Sequence, residues 1–467
     1  MPSIGAAADA IAFAPTAQIL EDAIASLTRD GERGGGAVDA AVRREALARY
    51  AELPVPGTKP GRTWRHDYTK LRFDDLTWSS RRGTLPTAPV RPADVVQSAD
   101  VMLSLSKHDQ PALATENAGG LVHLGATYLA APQGAAADPR AVVVPLADAL
   151  REHGAVLAGV HGAIVDWRND KFAALATAFQ NCGAFVYVPD GVVLDAPIQL
   201  LFSNVEPQTE AVFPQIVVVL GAGARATVLE RHVGEGEPLI CGTVEAQVGT
   251  GAQLDYVVVQ QAGESARLFM HRGARCGRDA TVRWHLADLG GTLARSVIDA
   301  RLDGEGSHGE TAAFFFNTGA QHVDLTTTTD HAVGNTTSEV VVRTAATDRG
   351  QGRYFGNILI RPKAHGSDAS LRDDALLLSK RAHIDSVPAL EIAANDVRAF
   401  HGATVGSLDE EALFYAQSRG IARADAMRMI ALAFFEPAIA RFPSEALRDE
   451  VRTALDQKLD DATEIDG

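Results

Sequence analysis

The chain has 467 residues, 46% of them hydrophobic, which is enough for a large core and excludes global disorder. Lys and Arg number 43 against 59 Asp and Glu, and the resulting net charge of −16 argues against broad binding to a nucleic-acid backbone. The three cysteines, Cys182, Cys241 and Cys276, are far apart and form no C-x-x-C pair; this excludes a disulfide framework, argues against a self-contained zinc or Fe–S site, and fits a reducing cytoplasm.

The length predicts two or three domains, or one long repeat domain with appendages. No Lys or Arg precedes Arg29 and no apolar h-region is present, so no signal peptide is expected. No run reaches the ~18 apolar residues of a membrane span.

Residues 16–29 are amphipathic at helical spacing, through Ile19, Leu20, Ile24 and Leu27. A second helix is predicted over about 37–51, after Gly34-Gly35-Gly36. The stretch 54–100 is rich in Pro, Thr, Arg and Asp, and 102–114 reads as a loop or insertion. Residues 137–181 read as mixed α/β, with a helix over 170–180.

From about 183 the texture changes to short β-rich runs separated by Gly, Asp and Asn turns, such as Ile216–Leu220, Thr243–Val248, Leu254–Val259 and Thr281–Leu286. Turn glycines recur at Gly221, Gly249, Gly277, Gly304 and Gly334, in steps of 28, 28, 27 and 30 residues. A superperiod near 28 that holds two strands predicts stacked coils, as in a parallel β-helix. One coil cannot bury its own inward face, whereas stacking builds a continuous core and leaves two open ends. The helical N- and C-terminal regions are the expected caps. Predicted boundaries are 1–130 for an N-terminal helical or irregular region, 131–406 for the β-helix with a mixed α/β lead-in to about 182, and 407–467 for a C-terminal helical domain.

Three C-terminal helices are expected. Ser407-Leu408-Asp409-Glu410 reads as a capping box, with Ser407 the N-cap and Glu410 its partner. The first helix should stop at Gly420. Met427, Ile430, Ala431, Phe434 and Phe435 mark the second, which Pro437 should kink or end. Leu447, Val451, Leu455 and Leu459 mark the third. Such stripes ordinarily form intramolecular core, a partner-binding helix pair being the alternative.

Gly221-Ala222-Gly223 after the run Gln215–Leu220 mimics a dinucleotide fingerprint, but β-prone Thr227-Val228-Leu229 follows where a helix is required, so a tight turn between coils accounts for the glycines better. The chain holds no P-loop, no H-E-x-x-H and no G-x-S-x-G. His365, His383 and His401 lie near Asp368, Asp385, Glu391 and Asp396 in sequence, a candidate metal cluster without a recognised ligand spacing. For His365 and His383 an ordinary surface role is favoured. His401 stands apart, at the seam of β domain and helical tail among Gly402, Ala403 and Gly406, which leave room for another chain or ligand.

The motifs Leu376-Leu377-Leu378-Ser379, Pro388-Ala389-Leu390-Glu391-Ile392, Asp396-Val397, His401-Gly402-Ala403-Thr404-Val405-Gly406, Asp409-Glu410-Glu411-Ala412-Leu413-Phe414-Tyr415 and Ser418-Arg419-Gly420-Ile421 resemble the SufB/SufD family. The His-Gly-Ala-Thr form is most similar to the SufD branch. Asp170–Leu175 and Gly183–Val192 also match the family pattern, and Trp64-Arg65, Tyr68-Thr69 and Leu71 match loosely. The resemblance spans roughly 165–435.

It implies a mainly β chain, a right-handed parallel β-helix flanked by helical regions. It also implies a non-enzymatic, cytoplasmic scaffold for iron–sulfur cluster assembly. Such a subunit pairs with a SufB-like paralogue through the β-helix end and docks a SufC-like ABC ATPase through C-terminal helices, here those carrying Leu413, Phe414, Tyr415, Met427, Ile430 and Phe434. A transient cluster at the seam would find His401 as one ligand, with Asp396, Glu391 and His383 as weaker candidates. No cofactor is expected to stay bound to the isolated chain, which could pair with itself when SufB is absent. Many SufD sequences carry Cys-Ser before the histidine, where this chain has Ala399 and Phe400, so thiolates must come from the partner.

An enzyme is the competing class: a carbohydrate-active β-helix, or a flavin or nicotinamide oxidoreductase using the Gly221–Gly223 turn. The chain offers no compact carboxylate pair and, with 6% aromatic residues, little to stack on sugars.

Overall fold

The computed structural model describes residues 40–54, 119–124, 127–130, 138–204, 211–234 and 236–460, with positions 18, 20, 21 and 462. The motif at Trp64–Leu71, the segment 102–114 and most of the stretch 16–29 lie outside the described residues.

The core is a parallel β-helix. Each coil contributes one strand to each of two long sheets: the even sheet, named for its strands from β8 onward, runs β2-β1-β5-β8-β10-β12-β14-β16-β18-β20, and the odd sheet, named for its strands from β7 onward, runs β19-β17-β15-β13-β11-β9-β7-β4-β3. The strands are β1 (Gly119–Leu124), β2 (Thr127–Ala130), β3 (Val142–Pro145), β4 (Cys182–Val188), β5 (Ile198–Ser203), β6 (Ala211–Val212), β7 (Pro214–Leu220), β8 (Arg225–Gly234), β9 (Leu239–Val248), β10 (Gln253–Ala262), β11 (Arg267–Cys276), β12 (Thr281–Asp288), β13 (Leu293–Leu302), β14 (His308–Asn317), β15 (His322–His331), β16 (Thr337–Ala346), β17 (Gln351–Ile360), β18 (Asp368–Leu377), β19 (His383–Ile392) and β20 (Arg398–Ser407). Arg225, Gln253 and Thr281 stack in register 28 positions apart, the period seen in the glycines. Residues 119–124 and 127–130, which the sequence places in an N-terminal helical or irregular region, are strands that extend the even sheet, β1 pairing with β5 in parallel and with β2 antiparallel. β3 pairs antiparallel with β4 at the same end of the odd sheet.

The recurrent glycines sit at one corner, where successive backbones nearly touch. A Cβ at Gly304 would lie 2.0 Å from the Arg278 nitrogen, and one at Gly221 would lie 2.2 Å from Asp190. The residue closing each corner is left-handed: Gly223, Gly251, Asp279, Gly306, Asn335 and Gly366. A ladder of backbone hydrogen bonds runs along this corner, from Gly223 N–H to Thr250 O through Gly251 N–H to Arg278 O, and ends with Gly366 N–H donating to Asp396 O at 2.6 Å.

Alternation sends one set of side chains inward. Val228, Tyr256, Val258, Trp284, Leu286 and Leu371 belong to a single continuous core inside the rod. The outward set is also apolar over long stretches, which is why Val257-Val258-Val259 and Phe314-Phe315-Phe316 are buried throughout. After the helices α1 (Ala40–Glu52), α2 (Leu146–Glu152), α3 (Gly154–Leu157) and α4 (Lys171–Phe179), three C-terminal helices cover the outward residues of the even sheet: α5 (Glu410–Ser418), α6 (Arg423–Ile439) and α7 (Glu445–Asp460). Phe435 packs on Phe314 with centroids 5.3 Å apart. Arg441 bridges Glu310 and Glu339, and Arg231 pairs with Glu450 at 2.7 Å.

On the odd sheet, the helix Lys171–Phe179 buries Phe172 against Phe269, 4.1 Å apart. Asp170 caps this helix by accepting from Ala173 N–H and also binds Arg295 at 2.7 Å. Glu245 of β9 gathers the preceding loop, its carboxylate accepting from the backbone N–H groups of Gly162, Ile164 and Val165.

Two expectations change. The helices lie along the flanks rather than over the C-terminal rim, because the outward Val257, Val259, Phe314 and Phe316 require cover. The N-cap of α5 is Asp409, whose side chain accepts from Glu411 and Ala412 N–H, because β20 holds Ser407 as its last residue. The first helix ends before left-handed Gly420, and α6 runs through Pro437 to Ile439.

Candidate functional site

Among the described residues nothing covers the C-terminal rim of the rod. β19 and β20 are the last strands of the two sheets, each paired on one side only, to β17 and β18 respectively. Ten-residue unpaired edges are ordinarily shortened, charged or covered, since their free N–H and C=O groups recruit another strand. β20 is exposed along nearly its whole length, Phe400 being 64% exposed.

His401 stands over Leu371 on β20. Its row continues inward through Val340, Thr311, Trp284, Tyr256, Val228 and Ile198, and these side chains fill the rod interior. The column of core residues therefore terminates in one imidazole at the surface. His401 is exposed, and no hydrogen bond ties its ring to the described residues. Among the described residues nothing lies within 4 Å of a Cβ built on Gly402 or Gly406, so the rod's own packing does not require these glycines.

The other sequence candidates separate. Asp396 belongs to the corner, where its backbone carbonyl ends the hydrogen-bond ladder. Glu391, on β19, accepts from the Asn357 amide at 3.0 Å. His383, at the start of β19, contacts Asp385 at 3.1 Å. His365 lines an open corner pocket with Arg278, Asp303, Glu305, Asn335 and Lys363. Among the described residues no three His, Cys, Asp or Glu side chains converge as a metal site, so the cluster suggested by sequence proximity is not assembled within one chain.

All three cysteines are buried, and none forms a disulfide. Burial pushes the Cys276 thiol up to about 12, and burial also raises Cys241 far above its ordinary value. None presents a thiolate at the surface.

Beneath the rim lie acidic residues that periodicity did not single out. Asp373 points into the rod, fully buried; its Oδ2 accepts from the Ser386 hydroxyl and its Oδ1 is unpartnered. Burial, reinforced by neighbouring Asp374, raises its carboxyl to about 7, against the opposing Ser386 hydrogen bond and Arg343 charge. Because the folded form holds its proton more tightly than the unfolded chain, Asp373 contributes stability that is complete below about pH 4 and lost as pH rises through about 7. Asp373→Asn should remove that slope and leave the protein more stable than wild type above pH 7 by up to about 4 kcal/mol, read from denaturant midpoints across pH 4–8. An unchanged pH slope would remove Asp373 from this role. Asp374, facing outward, binds Arg343 at 2.6 Å, Arg372 at 2.8 Å and the Thr404 hydroxyl at 2.6 Å. The sequence signal for both was an Asp-Asp pair directly before the apolar run Ala375-Leu376-Leu377-Leu378.

The helical candidates divide by burial. Leu413 and Met427 are core, and Ile430 and Phe434 pack at its edge. Phe414 and Tyr415 are 73% and 61% exposed, and Met429 is exposed as well. These large aromatics therefore stand in the open on a short helix and take no part in its core.

The geometry disfavours the enzyme readings. The Gly221–Gly223 turn leads into strand β8, not a helix, so it offers no helix N-terminus to a pyrophosphate. In the corner pocket, hydrogen bonds from Asn335 and Arg278 hold Glu305 below the ordinary carboxylate range, the reverse of what a general acid needs. No helix among the described residues is long and apolar enough to cross a membrane.

Residues 202–434 match the family described as SUF system FeS cluster assembly, SufBD core domain, and residues 119–200 match the SufBD protein N-terminal region. Iron-sulfur cluster assembly protein SufB of Bacillus subtilis is 26% identical over 413 residues, covering 86% of this chain and 85% of the relative. An iron-sulfur cluster assembly SufBD family protein of Staphylococcus saprophyticus is 25% identical over 409 residues, with the same coverage. Another from Mycobacterium leprae is 29% identical over 279 residues, 59% of this chain and 32% of that protein. With both family regions matched in order along the rod, this chain belongs to the SufBD family of the SUF iron–sulfur cluster assembly system.

Proposed function

We propose that this chain is the SufD-like, non-catalytic scaffold subunit of a cytoplasmic iron–sulfur cluster assembly complex. The observation that carries the proposal is the single exposed imidazole of His401 at the end of the core column, on an unpaired strand. In this reading the β19 and β20 edges pair with those of a SufB-like subunit, and the nascent cluster forms as cargo at their seam. His401 contributes one neutral nitrogen. The softer thiolates come from the partner, since every cysteine of this chain is buried. A second copy of this chain would occupy the same edge when the paralogue is absent.

The ATPase-docking surface is assigned to Phe414 and Tyr415, with Leu413 and Met427 holding the helices beneath it. Affinity purification of the tagged chain from cells should recover a β-helix paralogue and an ABC ATPase, with iron and sulfide in the complex. Changing Phe414 and Tyr415 together to Ala should lower ATPase recovery at least ~30-fold, as expected for two aromatic anchors. The melting temperature should stay within about 1 °C, because exposed side chains carry little fold stability. Full ATPase recovery by this variant would move the docking site elsewhere. Polysaccharide cleavage or stoichiometric NAD(P) binding by the pure chain would favour the enzyme class instead.

A further inference from the structure

The rim strand and the helical domain are joined in two ways. β20 ends at Ser407 and α5 begins at Glu410, so the strand passes into the helix with almost no slack. The second link runs through side chains. The Thr404 hydroxyl, three residues beyond His401 on β20, donates to Asp374 Oδ1 at 2.6 Å. Asp374 Oδ2 takes Arg343 Nη1 at 2.6 Å, and the Arg343 guanidinium lies 5.8 Å from the centroid of the Phe434 ring on α6. Both Arg343 and Asp374 are buried. Phe434 is in turn edge-on to Phe435, whose ring seats α6 on the rod through Phe314 and Phe316. Arg372, exposed on the same strand as Asp374, supplies a second cation that keeps the carboxylate ionised and bound at its post.

This arrangement exceeds what holding the edge strand requires. Backbone pairing with β18 already fixes one side of β20 from Arg398 to Ser407. The polar link adds a specific dependence of that strand on where α6 sits. Alternatives for Asp374 are few, because Arg343, Arg372 and Thr404 occupy its oxygens.

We propose that Asp374 is a positioning residue that couples the seat of α6, through Arg343 and Phe434, to the placement of the strand carrying His401. Displacement of α6 withdraws Arg343, loosens the Asp374–Thr404 bond and shifts the imidazole at the rim. The role assigned to His401 rests on the function proposed above, whereas the coupling itself is a property of the single chain.

The test uses the full chain alone, so its outcome is independent of whether His401 meets a cluster. Histidine-labelled protein reports the His401 imidazole by NMR, identified by the resonance lost in His401→Asn, and hydrogen exchange reports the amides of 398–407. Asp374→Asn should speed exchange of those amides at least ~10-fold, since it weakens charge-assisted hydrogen bonds, with the inner coils 253–346 unchanged. Phe434→Ala should shift the His401 resonance and speed the same amides. In the Asp374→Asn background the Phe434 change should add nothing, which is the non-additivity of a connected pair. Arg343→Lys, which keeps the charge but loses the planar fork, should reproduce the Phe434 effect and serves if Phe434→Ala does not fold. Additive effects, or a His401 resonance unmoved by both Phe434→Ala and Arg343→Lys in folded protein, would overturn the coupling.

Discussion

Replacing His401 with alanine is expected to reduce cluster formation by the co-expressed complex at least ~10-fold while leaving the fold untouched; removing even an outer-shell partner of a metal ligand commonly costs that much. The side chain is exposed, and neither a hydrogen bond among the described residues nor an ion pair depends on it. Its loss should therefore change the melting temperature by less than about 1 °C. The defect should appear as lower iron and sulfide content per complex, with subunit stoichiometry unchanged. His401→Cys offers a second reading: a thiolate at that position is a softer iron ligand and should restore part of the activity. Normal iron and sulfide in the alanine complex would remove His401 from the site and leave the open rim as a purely structural seam.

The largest effect on stability should come from Glu230, far from the rim. Its carboxylate lies inside the rod and accepts from His232 Nε2 at 2.6 Å, from Tyr256 OH at 2.6 Å and from Arg272 Nη2 at 2.6 Å. All four side chains are buried. Burial alone would raise the Glu230 carboxyl, but the Arg272 charge and the hydrogen bonds from His232 and Arg272 prevail and hold it well below the usual range. Glu230→Gln leaves the Arg272 guanidinium without a counter-charge in an apolar interior and should cost about 3–5 kcal/mol. Glu230→Gln combined with Arg272→Met removes the orphaned charge and should recover most of that loss. The depressed folded value also fixes a pH window. Stability from Glu230 is present above about pH 4.3, its unfolded value, and declines as pH falls below it toward the folded value. Acid unfolding of the wild type should therefore be steeper than that of the double variant. A cost below about 1 kcal/mol for Glu230→Gln would show that the buried pair is not a principal brace of the coils.

Much of the rod was legible because its cause is local. Corner glycines recur where backbones pass too close for a Cβ, so a single steric rule writes the period into the chain. The strand after Gly223 was legible for the same reason, β-prone Thr227-Val228-Leu229 excluding the helix that a dinucleotide site needs. The placement of the helices was less so. Amphipathic stripes on α6 and α7 state that a face is buried but not against what. The missed signal lay in the strands, where Val257-Val258-Val259 and Phe314-Phe315-Phe316 are apolar at both parities and so require cover outside as well as inside. The docking candidates split for a related reason: of the neighbours Leu413 and Phe414 on one helix, the first is buried and the second exposed, which composition cannot distinguish. The interior network was not legible, since Glu230 and Arg272 lie 42 positions apart and meet only after the coils stack.

His401 was marked by its neighbours, Gly402, Ala403 and Gly406, and it lies on the edge strand β20, in register with the core residue Leu371. Asp373 and Asp374 show what was missing from that picture: one carboxylate inside the rim and one outside, tied to β19 through Ser386 and to β20 through Thr404.

Photocrosslinking in the cell tests the seam most directly. A benzoyl-phenylalanine placed at Phe400, on the bare strand next to His401, should capture a SufB-like β-helix subunit, or a second copy of this chain when that subunit is deleted. Capture of neither, or of the ATPase alone, would contradict an assembly seam at this rim.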